Sequence, residues 1–143
     1  GEGEDKTHCM AINQSDKVSF CGLTDHNRVV EILSHSKLLV VPSVWYETFG
    51  MVVAEAFMVG TPVIVSNIGS LPEMVKDAGL VFESGSPESL VTVFKEIWKD
   101  DVKLEQMGVK AREKYLQSYT AEVNYRNQLD LYNEVVRENA NRR

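Results

Sequence analysis

Short, unbroken apolar runs alternate with helical stripes along the first half of the chain. Val18 to Cys21 reads as a strand that ends at Gly22. Val29, Ile32 and Leu33 recur at helical spacing and predict a helix over 26–36. Leu38 to Val41, closed by Pro42, reads as a buried strand. A helix follows from about Phe49 to Val59, stopped by Gly60 and Pro62. Val63, Ile64 and Val65 form the next strand. Ser70, Pro72 and Glu73 open a short helix that Gly79 ends, and Leu80 to Phe82 is a last strand. Strands that are apolar at every position are buried on both faces, which is the habit of a parallel sheet covered by helices on both sides. The expected fold class is therefore α/β, with a Rossmann-like parallel sheet and a helical C-terminal tail.

The second half is helical throughout. Ser86 is a good N-cap, with Pro87 at the first helical position. Leu90, Val93, Phe94, Ile97 and Trp98 then make one stripe, and Leu104, Met107, Ala111 and Tyr115 a second. Thr120 caps a third helix with Tyr125, Leu129, Tyr132 and Val136 on one face. These stripes read as core packing rather than as cofactor contacts. With no internal repeat or long linker, residues 1–143 read as one domain, an α/β part over about 16–84 and a helical part over about 86–141.

Composition narrows the function. The net charge is −6, and a moderately acidic chain without clustered Lys and Arg is a poor nucleic-acid binder. Apolar residues make up 43% and charged residues 25%, enough for a real core. No apolar run is long enough to span a membrane. The acidic, glycine-rich start is unlike a signal peptide, and Cys9 and Cys21 lack a CxxC spacing. Reduced thiols in a cytoplasmic protein are the expectation. His8 and His35 show no ligand spacing, so no metal site is expected.

The chemistry concentrates in 42–60, PSVWYETFGMVVAEAFMVG. The helix in it is apolar nearly all round, yet it carries one carboxylate, Glu55. A charge in such a setting needs a partner. Two readings are open: a salt bridge to a basic side chain, or a carboxylate facing a cleft and accepting hydrogen bonds from ligand hydroxyls. Position favours the cleft, because open α/β sheets bind ligands at the carboxyl ends of their strands. Thr48, Phe49 and Gly50 sit at the helix N-terminus, where free N–H groups and the macrodipole favour an anion. Gly50, lacking a side chain, would let a phosphate approach. Glu47 lies just before this turn, and Glu55 about 7–8 Å beyond Gly50 at ~1.5 Å per residue. Hydroxyls, then phosphates, then more hydroxyls would match the layout, and a nucleotide sugar is such a molecule. Trp45 and Tyr46 flank Glu47 and read equally as sugar-pocket lining or as packing. Ser70-Leu71-Pro72-Glu73 has capping-box spacing, which makes Glu73 a helix cap. His26 reads as a surface or capping residue at a helix start.

This stretch resembles the donor-binding segment of the family 4 (group 1) glycosyltransferases, which have the GT-B fold. Pro42, Ser43, Glu47, Phe49, Gly50 and Glu55 match that family's pattern of Pro-Ser followed by two Glu separated by seven residues. Gly1-Glu2-Gly3 is similar to its GDG turn, Phe20-Cys21-Gly22 to its F-x-G strand end, and Thr61 to Ile64 with Gly69 to Glu73 to its next strand and loop. Tyr119-Thr120 precedes the usual closing helix.

The resemblance implies the donor-binding part of a retaining, metal-independent glycosyltransferase that takes a nucleotide-diphosphate sugar and needs no cofactor. It implies that Glu47 contacts donor-sugar hydroxyls and that Glu55 binds the ribose. It gives the diphosphate and sugar to backbone N–H groups of Phe49, Gly50 and Met51, with Ser43 and Thr48 beside them. It gives the base to the turn through Cys21, Gly22 and Leu23. The basic residues for the diphosphate, two further strands and an acceptor domain are expected from segments before Gly1. An acceptor glycan or lipid-linked sugar would then meet that other part, as would the inner face of the membrane. The chain alone is expected to be a weak or inactive transferase. The other readings are the matching half of another GT-B enzyme, an epimerase or a glycogen synthase-like protein, or a non-catalytic nucleotide-binding module.

Overall fold

The computed structural model describes residues 3–141. In chain order the elements are α1 (Lys6–Ile12), α2 (His26–Ser34), β1 (Leu39–Val41), α3 (Met51–Met58), β2 (Val63–Ser66), α4 (Leu71–Val75), a 3-10 turn (Lys76–Ala78), β3 (Gly79–Phe82), α5 (Pro87–Ile97), α6 (Asp101–Ser118) and α7 (Ala121–Asn141). The expected Gly1-Glu2-Gly3 turn falls largely outside the described residues. α1 buries none of its residues, so it left no apolar stripe to read.

The strands pair in parallel in the order β1-β2-β3, with Leu39 opposite Val63 and Val63 opposite Gly79. Alternate residues face opposite sides of a strand, which builds two cores from one sheet. Val41, Val63 and Val65 join Val53, Phe57, Leu71 and Val75 on the side covered by α3 and α4. Ile64 and Phe82 join Ile97, Leu104 and Met107 on the side covered by α5 and α6. α6 reaches both clusters, since Leu104 and Met107 enter one and Ala111 the other. The α/β expectation, with helices on both faces, is met.

Two expectations are corrected. Val18 to Cys21 is not a strand: it has no ladder partner among the described residues, and Val18 and Phe20 are 49% and 40% exposed. An apolar run becomes a strand only where a neighbour takes its N–H and C=O groups. The stripe on α7 is not core either. Tyr125, Leu129, Tyr132 and Val136 are all exposed. The α5 and α6 stripes otherwise pack inward, but Trp98 is 43% exposed and not core, stacking on Phe94 with ring centroids 4.8 Å apart.

The caps at Ser86 and Thr120 form as expected. Ser89 N–H donates to Ser86 Oγ at 3.2 Å, and Val123 N–H to Thr120 Oγ1 at 3.3 Å. The capping box at Ser70 does not form. Ser70 has helical backbone angles and no side-chain cap bond, and its hydroxyl points to another loop. No helix among the described residues is long and apolar enough to cross a membrane.

Candidate functional site

Three loops meet at the carboxyl end of the sheet: 42–50 after β1, 67–70 after β2 and 83–86 after β3. The first carries most of the residues singled out by pattern, and the other two hold it. Ser66 Oγ donates to Ser43 O at 2.7 Å, and Ser84 Oγ donates to the same carbonyl at 3.1 Å. Ser70 N–H and Ser70 Oγ donate to Glu47 O at 3.0 and 3.2 Å. Between these anchors Val44, Trp45 and Tyr46 are exposed, the last two by 83% and 78%. Neither Trp45 nor Tyr46 is therefore packing material within the described residues.

The loop turns into α3 through Gly50, whose φ of 70° lies in the left-handed region. A Cβ there would lie 2.7 Å from Leu71 Cδ2, in the interior. Glycine is thus required by the turn and by packing, a different reason from open access for a phosphate. α3 itself starts with free donors. Val53 and Ala54 N–H reach back to Gly50 O, while the N–H groups of Phe49, Gly50, Met51 and Val52 find no acceptor among the described residues. These are the groups a helix leaves unpaired at its start, and they create a positive end.

On α3, Val53, Ala54, Ala56 and Phe57 are buried, while the Glu55 side chain keeps 18% of its surface exposed. Its partner is neither Lys nor Arg. His26 Nδ1, at the first position of α2, lies 3.0 Å from Glu55 Oε1. A carboxylate only accepts, so the ring N–H donates. The His26 side chain is 65% exposed, so this is a rim contact and not a charge locked inside. Asp25 caps the same helix by accepting from Arg28 N–H at 3.0 Å. Hence His26 begins a helix at the surface, as its sequence position suggested, and also meets Glu55.

Glu55, His26, Phe49 and Met51 line one cavity of about 450 Å³. Its far wall comes from Tyr115, Ser118 and Tyr119 of the α6 end and from Asn124 and Asn127 of α7. Phe49 and Tyr119 meet edge-on, with centroids 6.0 Å apart, and Tyr119 also leans on Phe57 at 6.4 Å. Burial raises the Tyr119 hydroxyl above the ordinary tyrosine value, so it stays a neutral donor at working pH. The same two rings border a second, more open cleft of about 570 Å³ with Ser70, Glu73, Met74 and Lys76. Glu73 therefore lies on a cleft rather than in a helix cap.

The structure gathers Phe49, Met51 and Glu55 around the cavity and sets Ser43, Glu47, Thr48 and Gly50 on the adjoining loop. Cys21, Gly22 and Leu23 do not line this cavity: Cys21 and Leu23 are exposed, and their turn leads into the start of α2, where His26 does line it. Pattern reading missed Tyr119, Asn124 and Asn127, which look like helix-surface and stripe residues in the sequence. It also missed the serine anchors, whose only trace is a Ser at or beyond the end of two strands. Among the described residues no cluster of three His, Cys, Asp or Glu could hold a metal ion.

The fold that carries this site is shared by known proteins. The chain superposes on sucrose-phosphate synthase from Thermosynechococcus elongatus with a TM-score of 0.81 and 29% identity, covering 92% of this chain and 33% of that one. It also superposes on Anabaena HepE in complex with UDP-glucose with a TM-score of 0.76 at 20% identity, covering 89% and 35%. Among curated proteins, N-acetyl-alpha-D-glucosaminyl L-malate synthase of Bacillus anthracis is 30% identical over 132 residues, 91% of this chain and 34% of that protein. D-inositol 3-phosphate glycosyltransferase of Corynebacterium diphtheriae is 31% identical over 105 residues, 72% of this chain and 24% of that protein. The chain thus spans about a third or less of the length of these relatives. The fold is that of the GT-B enzymes. The family description "Glycosyl transferases group 1" matches residues 1–138, nearly end to end, and the chain belongs to that family.

Proposed function

We propose that this chain is the donor half of a retaining glycosyltransferase and binds a nucleotide-diphosphate sugar across α3 and the loop before it. The observation that carries the reading is Glu55. It is the one acid on a buried, apolar helix, and it stays open on the wall of a cavity beside four free N–H groups. Relatives of the same family are glycosyltransferases by name, and one structural neighbour holds UDP-glucose.

In this reading Glu55 Oε2, with Oε1 already taken by His26, accepts from the ribose hydroxyls. The N–H groups of Phe49, Gly50 and Met51 face the diphosphate, where charge grows as the sugar–phosphate bond breaks. Fixed dipoles aimed at developing charge need no reorganisation during the step. Glu47 contacts hydroxyls of the donor sugar and holds it as its anomeric carbon becomes oxocarbenium-like. Ser43 and Thr48 shape the floor of the site, and the Cys21 to Leu23 turn meets the base. The reaction needs neither a metal nor a cofactor in this scheme, and the acceptor, a glycan or lipid-linked sugar, binds a part of the enzyme outside these residues.

The test uses the natural polypeptide that carries these residues. Thermal shift against UDP-glucose, GDP-mannose and ADP-glucose picks the donor, and calorimetry then compares wild type with Glu55→Ala. Loss of a charge-assisted hydrogen bond should weaken nucleotide binding by ~1–3 kcal/mol. No shift with any sugar nucleotide, or equal affinity in the variant, would sink the assignment.

A further inference from the structure

The 42–50 loop raises a physical question that α3 does not. A long, largely exposed connection has no ladder of its own, and the Glu47 carboxylate pairs with no described side chain. Something else must fix where that carboxylate stands. The contacts all fall on its backbone. Glu47 O takes both the N–H and the hydroxyl of Ser70, at 3.0 and 3.2 Å. Gly69 lies directly against the same peptide. Its φ is +57°, and a Cβ on it would overlap Glu47 O and come within 2.7 Å of Glu47 N and 2.9 Å of Glu47 C. Those are backbone atoms, which cannot swing aside as a side-chain tip can. Ser43 O, four residues earlier, is pinned by the hydroxyls of Ser66 and Ser84. The loop is therefore moulded on the ends of β2 and β3.

We propose that Gly69 and Ser70 are positioning residues for Glu47: they set its peptide and hence the place of its carboxylate in the donor site. This rests on the reading of Glu47 as the group that contacts the donor sugar. A Cβ at position 69 must push the Glu47 peptide outward. A misplacement of about 1 Å at a reacting group is enough to cost ~10²-fold in rate. Ser70 contributes the finer part, because its N–H remains when the hydroxyl is removed.

The experiment uses the natural polypeptide with the donor chosen above. It measures kcat, KM and nucleoside diphosphate affinity for wild type, Gly69→Ala, Ser70→Ala, Ser70→Thr, Glu47→Gln and the double variant Gly69→Ala/Glu47→Gln. Gly69→Ala should lower kcat ~100-fold and Ser70→Ala about 10-fold, with diphosphate affinity kept within about threefold. Ser70→Thr, which keeps the hydroxyl, should restore kcat. The double variant should be no slower than Glu47→Gln alone, since a displaced carboxylate that is already gone cannot be lost twice. Rates for Gly69→Ala and Ser70→Ala near wild type, beside a crippled Glu47→Gln, would overturn the clamp alone. So would losses that multiply in the double variant, or a Ser70→Thr as slow as Ser70→Ala. A Glu47→Gln enzyme at full speed would instead remove the reading of Glu47, and the clamp with it. If Gly69→Ala does not fold, the Ser70 pair decides by the same criteria.

Discussion

The two ends of α3 obey opposite rules. At its C-terminus the carbonyls of Ala56, Phe57 and Met58 all find donors. Thr61 N–H donates to Ala56 O at 2.9 Å and Gly60 N–H to Phe57 O at 3.1 Å, the paired bonds of a Schellman closure. The Arg112 guanidinium donates to Met58 O, and Thr61 Oγ1 ties the next loop to Leu33 O at 2.7 Å. At its N-terminus the chain enters through a left-handed glycine, no side chain caps the helix, and the first N–H groups find no acceptor among the described residues. Yet the loop leading in is held firmly by serines on its carbonyls. The fold spends side chains on fixing this end in space while leaving its donors unpaired. Unpaired donors held in a rigid frame are what a preorganised anion site requires. The comparison teaches that openness at one end of α3 is local and built, because the same helix shows how the chain closes an end when closure is all that is needed.

The largest expected effect breaks the open end. Glu47→Gln keeps the backbone clamp and the side-chain size but removes the charge that the proposed role sets against the donor sugar. Transfer should fall by ~10²–10³-fold, the scale of one lost transition-state contact, while nucleoside diphosphate affinity changes little. Steady-state kinetics beside calorimetry separates the two. A parallel loss of affinity would mean that Glu47 supports the loop rather than the reaction, and the contrast between the ends would lose its functional meaning.

The next effect breaks the closed end. Gly60 and Gly108 bring α3 and α6 together so tightly that a Cβ on Gly108 would lie 2.5 Å from Gly60 O. Gly108→Ala must spread the two helices, and overpacking of this kind costs about 1–3 kcal/mol. Urea denaturation should show that loss, with diphosphate affinity of the folded protein unchanged. If affinity fell as well, strain at the C-terminus would be travelling along α3 to the donor end, and the two ends would be one unit.

The sequence pattern made some of this contrast visible and hid the rest for identifiable reasons. β1, β2 and β3 were legible because each is an apolar run: central β2 is buried throughout at Val63, Ile64 and Val65, while the edge strands β1 and β3 are buried only in part. Glu55 stood out because one acid among Val53, Ala54, Ala56 and Phe57 needs a partner, while the pattern alone left open whether that partner was a side chain or a ligand, and the structure places His26 against it. Val18 to Cys21 misled because strand pairing is a property of two segments and the pattern of one cannot supply the partner. The α7 stripe misled for a related reason: Tyr125 and Tyr132 show that the helix is amphipathic, but not what its face meets. The serine anchors were illegible since Ser66, Ser70 and Ser84 resemble ordinary turn residues, and their partners lie 23 or 41 residues away. Ser70 even suggested the wrong job, because capping-box spacing is a local signal and a long-range carbonyl claimed its hydroxyl.

The smallest effect concerns Tyr119, the side chain that joins the two ends. Its ring meets Phe49 beside the open donors and Phe57 toward the closed turn, with centroids 6.0 and 6.4 Å away. Burial favours the neutral phenol and raises its pKa in the folded protein. In the unfolded chain it ionises near the ordinary value of about 10. Below that pH both states keep the proton, so the packing contribution is fully present. Above it the unfolded state gives up its proton first, and stability declines until the folded pKa is passed. Urea midpoints of wild type should therefore drop relative to Tyr119→Phe as pH rises above about 10, by less than the Gly108→Ala loss because the ring is only partly buried. Parallel curves for the two proteins would show that this residue is wetter than its contacts imply. In that case Phe49 would lack a fixed wall, and the rigidity claimed for the open end would have to come from the serine anchors alone.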